Sequence, residues 1–139
     1  MNGPGSGFGN RLLSGGGAGG EDGAQSLEPF PRQTLVGVAT GPIAYYSPFY
    51  DSKNWKSVAW WFECYGCLPS GAMANPVTMY LESGESLDGP FEQLASQTAV
   101  ELTRYTGSIQ NSRSLLRVRV VVEANFILTV AIRIVTRWR

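Results

Sequence analysis

The chain has 139 residues, eleven Lys+Arg against eleven Asp+Glu, two cysteines and no histidine. Zero net charge removes the summed positive field on which general nucleic-acid and membrane-surface binders depend. Without histidine there is no Ser-His or Cys-His pair and no imidazole base or metal ligand, so no enzyme, cofactor or metal centre is expected.

Ten of the 17 glycines lie between Gly3 and Gly23. Such a segment loses much backbone entropy on ordering and carries little apolar surface to offset it. Residues 1–27 therefore read as a flexible arm and residues 28–139 as one folded domain, entered at Pro29 and Pro31. Within the arm Phe8, Leu12 and Leu13, with Arg11, form a small apolar island suited to anchoring in a partner's groove. The stretch MNGPGSGFGNRLLSGGG has no apolar run of signal-peptide length.

From Gln33 onward, short apolar runs alternate with turn residues at the spacing of an all-β domain. Strands are predicted at Thr34–Thr40, Ile43–Tyr46, Lys56–Cys64, Val77–Ser83, Ala99–Thr106, Leu115–Val122 and Phe126–Arg137. Turns fall at Ser52-Lys53-Asn54, Leu68-Pro69-Ser70-Gly71 and Thr106-Gly107-Ser108, and Phe91–Gln97 suits a short helical turn. The fold class is all-β: an antiparallel β-sandwich, jelly-roll or Ig-like, of about seven to eight strands.

Alternation assigns the faces. Val58, Trp60, Phe62 and Cys64 turn inward, leaving Trp61 outside; Val77, Met79 and Leu81 turn inward, leaving Thr78, Tyr80 and Glu82 outside. Leu116, Val118, Val120 and Val122 face inward opposite Phe126, Leu128, Val130 and Ile132. A three-residue loop, Glu123-Ala124-Asn125, would join these last strands as a hairpin pairing Val122 with Phe126 and Val118 with Val130. That register places Arg117, Arg119, Arg133 and Arg137 on one outward stripe.

Cys64-Tyr65-Gly66-Cys67 is a lone CxxC, too few ligands for the usual zinc site and not at a helix start, so structural thiols are expected. Glu82, Glu85, Asp88 and Glu92 surround the turn 83–90 and read as a solvated acidic loop, with calcium binding or a carboxylate pair as the alternatives. Leu115–Val135 is the most apolar stretch, but Arg117, Arg119, Glu123 and Arg133 interrupt it, so no membrane partner is expected. Residues 1–112 carry five basic and ten acidic side chains, a net of −5; residues 113–139 carry six arginines and Glu123, a net of +5. The arginine stripe then suits acidic surface on a neighbouring copy, or an ordinary solvated face, better than nucleic acid. Trp61, Trp55, Tyr45, Tyr46, Phe49 and Tyr50 supply aromatics for a protein interface, for core ends or for stacking on sugars.

Met79-Tyr80-Leu81-Glu82-Ser83 followed by Ser86-Leu87-Asp88-Gly89-Pro90-Phe91 resembles a strand–turn passage of small β-sandwich proteins of tailed phages. Leu115-Leu116-Arg117-Val118-Arg119-Val120 is similar to the strand that follows in them. The resemblance implies a virion accessory subunit, a capsid decoration or cement protein or a tail or neck component, assembled in the host cytoplasm. It implies as partners other copies of the chain and a major capsid or tail protein. Discoidin-like carbohydrate-binding domains show similar runs, which makes a glycan-binding module the alternative. Where such modules often carry Trp after the Asp-Gly turn, this chain has Phe91.

Overall fold

The computed structural model describes residues 13–14, 24–38, 40–68, 76–123 and 126–138. Their strands are β1 (Leu13–Ser14), β2 (Ala24–Val36), β3 (Ile43–Tyr46), β4 (Tyr50–Asp51), β5 (Trp55–Leu68), β6 (Val77–Gly84), β7 (Glu92–Ala99), β8 (Arg104–Gln110), β9 (Leu115–Val122) and β10 (Ile127–Trp138). Sheet A has the order β1-β4-β9-β6-β7, with β3 also on β9; sheet B has the order β2-β10-β5-β8. Every pairing is antiparallel except β1 with β4.

The two sheets pack as a sandwich whose core follows the expected alternation. Val58, Phe62, Val77, Met79, Leu81, Leu116, Val118, Val120, Val122, Phe126, Leu128 and Val130 are all fully buried. Each such side chain contributes about 1.5–3 kcal/mol on leaving water.

The terminal hairpin is not formed. β9 pairs with β6, β3 and β4, whereas β10 pairs with β2 and β5 in the other sheet. The inward sets of β9 and β10 do face one another, but across the core rather than along a ladder. β9 ends in one layer and β10 begins in the other, where the Gly37 N–H donates to the Phe126 carbonyl. A Cβ on Gly37 would lie 1.8 Å from the Glu123 carbonyl oxygen, so only glycine permits that approach.

Four further strand and turn assignments differ from the sequence reading. β2 begins at Ala24 and runs through Pro29 and Pro31, which an edge strand with register shifts tolerates. Glu92–Ala99 is a strand on the edge of sheet A, not a helical turn, because its hairpin partner β6 supplies the ladder. The Thr106-Gly107-Ser108 turn lies inside β8. Gly107 is there for packing, since a Cβ would sit 2.2 Å from Cζ2 of the buried Trp60. Likewise β5 continues past Cys64 to Leu68, so the CxxC spans a strand end with a register shift at Tyr65 rather than a turn. Cys64 is buried.

Polar groups fasten the loops at one end of the sandwich. Buried Asn111 donates from Nδ2 to the carbonyls of Ser52, Trp55 and Arg113. Ser47 bridges the break between β3 and β4: its Oγ accepts the Val118 N–H and its N–H donates to the Val118 carbonyl, both at 2.8 Å. Nearby, Tyr50 is buried against Trp55, and burial together with Glu28 pushes its phenol well above the ordinary 10.0. The unfolded chain then ionises first, so this contribution holds below about pH 10 and weakens as the pH rises further. Tyr50→Phe is expected to stay folded to a higher pH than the parent, as read by circular dichroism in alkaline titration.

Candidate interaction surface

The four outward arginines do not share a stripe. Because β9 and β10 belong to different sheets, Arg117 and Arg119 lie on the outer face of sheet A, and Arg133 and Arg137 on that of sheet B. Trp61 shares the second face. Phe8, Arg11 and Leu12 lie outside the described residues. Leu13 is placed by its backbone, which pairs in parallel with Tyr50.

On sheet A, β6 sets Glu82 directly beside Arg117 of β9. The carboxylate accepts from Arg117 Nε at 2.9 Å and from Arg119 Nε at 2.7 Å. Aromatic rings enclose the trio. The Arg117 guanidinium lies 4.3 Å from the Tyr46 ring centre and 4.8 Å from those of Phe49 and Phe91; Arg119 lies 4.2 Å from Tyr80. Phe49 and Phe91 stack at 5.1 Å. Phe91 reaches this position because Gly84 and Gly89 leave it room: a Cβ on Gly84 would come 2.8 Å from its ring, and Gly89 has φ +81°. The result is a second small core on the outside of the sheet, rigid and carrying one net positive charge.

At the adjoining end, Arg113 pairs with Glu85 and Glu92, and Ser114 donates to Glu85. Three of the four carboxylates of the acidic loop are thus matched by arginines, and Asp88 is exposed at the turn.

On sheet B the Arg133 guanidinium covers the Trp61 ring at 4.7 Å. Beside them Glu63 accepts from the Tyr65 hydroxyl and pairs with Arg104, while Arg32 lies 4.1 Å from the Tyr65 ring centre. The hydrogen bond to Glu63 raises the Tyr65 phenol. Arg32, Arg104, Arg133 and Arg137 set against Glu63 leave this face basic, with Trp61 and Arg133 at its middle, the residue types that dominate protein contacts.

Of the residues offered for sugar stacking, Trp55 is fully buried and Trp61 sits under Arg133. The outward parity of Glu82 was legible in the sequence; the convergence of Tyr46, Phe49, Tyr80 and Phe91 on two arginines was not. It depends on which strands β9 takes as neighbours. Among the described residues no helix is long and apolar enough to cross a membrane.

The chain matches no protein-family model and no curated protein. Among solved structures it is similar to the PBSX exported protein XepA, with TM-score 0.63 and 12% identity over 83% of this chain. That match covers 37% of XepA, so this chain spans little more than a third of its length. It is also similar to the SPBc2 prophage-derived protein YomS, with TM-score 0.51 and 7% identity, covering 81% of this chain and 91% of YomS. The chain therefore shares its fold with XepA and with the prophage-derived protein YomS.

Proposed function

We propose that this chain is a structural assembly protein of a phage particle, a decoration, cement or other accessory subunit without catalytic activity. It packs through its outer faces against copies of itself and a capsid or tail protein, and its N-terminal arm ties it to neighbours. The observation that carries this reading is the pair of preorganised arginine–aromatic faces on a rigid sandwich. Guanidiniums already held by Glu82 and by ring stacking lose little freedom when they meet a partner's carboxylates or backbone carbonyls. The fold shared with XepA and YomS supports the phage setting. Parallel pairing of Leu13–Ser14 on β4 supports an arm that binds by adding strands to sheet edges.

The ladders among the described residues begin at Leu13, so a chain lacking residues 1–12 keeps every one of those pairings. The truncated protein is expected to keep its thermal midpoint and circular dichroism while failing to join the particle, or yielding one less resistant to heat or salt. Normal incorporation of the truncated chain, scored by gel analysis of purified particles, would count against the arm's role. Glycan-array binding abolished by Trp61→Ala, with incorporation unaffected, would favour a carbohydrate-binding module instead.

A further inference from the structure

The edge strands of the sandwich are not equally protected. Edge strands in soluble proteins are kept from pairing with other chains by being short, by proline or by bulges. β2 has Pro29, Pro31 and two register shifts, and β1, β3 and β4 are only two to four residues long. β8, Arg104–Gln110, has none of these devices. Among the described residues it pairs with β5 alone, in unbroken register from Ser57↔Gln110 to Glu63↔Arg104.

The bonding phase of that ladder is fixed at both ends. Asn111 N–H donates to the Lys56 carbonyl, and Cys64 N–H donates to the Thr103 carbonyl. Antiparallel partners alternate between bonded and non-bonded pairs. Tyr105, Gly107 and Ile109 therefore bond to β5, and Arg104, Thr106, Ser108 and Gln110 turn their N–H and C=O groups to the open edge.

The strand is also self-complementary about Gly107. Thr106 and Ser108, both hydroxyl residues, flank it; then come Tyr105 and Ile109, half-buried and packed on the core; then Arg104 and Gln110. We propose that β8 pairs with β8 of a second copy of the chain, antiparallel across a two-fold axis at Gly107. Sheet B then runs continuously through both molecules. In that register Thr106 faces Ser108 of the second copy, Tyr105 faces Ile109 and Arg104 faces Gln110. Hydroxyl meets hydroxyl, ring meets aliphatic chain, and the two Arg104 side chains stay apart. Every open N–H and C=O finds a partner in this register, about eight hydrogen bonds in all. The other long free edge, β7, lacks this symmetry: about its middle, Leu94 would face Gln97. An isologous contact of this kind is the commonest way for identical chains to associate, and it does not involve the N-terminal arm.

Sedimentation equilibrium of the full chain is expected to show a monomer–dimer equilibrium. Ser108→Pro deletes an N–H that faces away from β5, so it should spare the monomer's circular dichroism while raising the dimer Kd about tenfold or more. A cross-link tests the register without proline. Chains carrying Thr106→Cys and chains carrying Ser108→Cys, mixed and oxidised, should form a disulfide-linked heterodimer, and neither alone should. A chain that stays monomeric at millimolar concentration overturns the proposal. So does self-association that persists in Ser108→Pro and gives no Thr106–Ser108 cross-link.

Discussion

Phe126→Ala is expected to lower the unfolding free energy by about 4 kcal/mol, within the range for removing a fully buried ring. Phe126 is fully buried, and its carbonyl receives the Gly37 N–H where the chain passes from sheet A to sheet B. Its ring fills the core at the crossover. The backbone there is pinned by the close approach of Gly37 to Glu123, so the walls cannot collapse into the space an alanine leaves. Denaturant titration measures the loss. A loss below about 1 kcal/mol in Phe126→Ala would show that the crossover repacks freely.

Glu82→Gln is expected to cost about 2 kcal/mol. Removing one member of a fully buried ion pair costs about 3–5 kcal/mol, and partial exposure of this cluster brings the value down. Side-chain exposure is 13% for Glu82, 20% for Arg117 and 26% for Arg119. Glutamine keeps the shape and one acceptor but leaves two guanidiniums facing each other under aromatic rings. Arg117→Met in the Glu82→Gln background should recover part of the loss, since it removes one of the uncompensated charges. Equal and additive losses in the two single variants and the double variant would mean that Glu82 and Arg117 act independently.

Much of this molecule was legible before its structure. The period-two pattern assigned the inward faces of β5, β6, β9 and β10 correctly because burial of one face is a local property of each strand. Pairing is not local. Val118 and Val130 face each other equally well as ladder neighbours and as partners across the core, so alternation cannot separate a hairpin from a crossover. The deciding facts are the claims of β6 and β3 on β9, and of β2 and β5 on β10, made by residues distant in sequence. Gly107 misled for a related reason. Glycine marks turns, but here it answers to Trp60 on the neighbouring strand. The arginine stripe failed with the hairpin, since two of its members moved to the opposite face. Glu82 looked like one acid among several in a solvated loop, and only the ladder of β6 with β9 brings it between Arg117 and Arg119.

The position of β10 has a consequence for biosynthesis. It is the middle of sheet B, joined to β2 on one side and β5 on the other, yet it follows every other strand in the chain. The Thr136 hydroxyl bonds to the carbonyl of Gln25, 111 residues earlier. While the polypeptide is still emerging from the ribosome, β2 and β5 lack the strand that separates them, and Val58, Trp60 and Phe62 lack the layer that covers them. Among the described residues, the β1–β4, β6–β7 and β5–β8 ladders are the ones whose strands all precede β9. Sheet B therefore cannot close until β10 has been made, at the slow rates typical of sandwiches completed by pairing between distant segments.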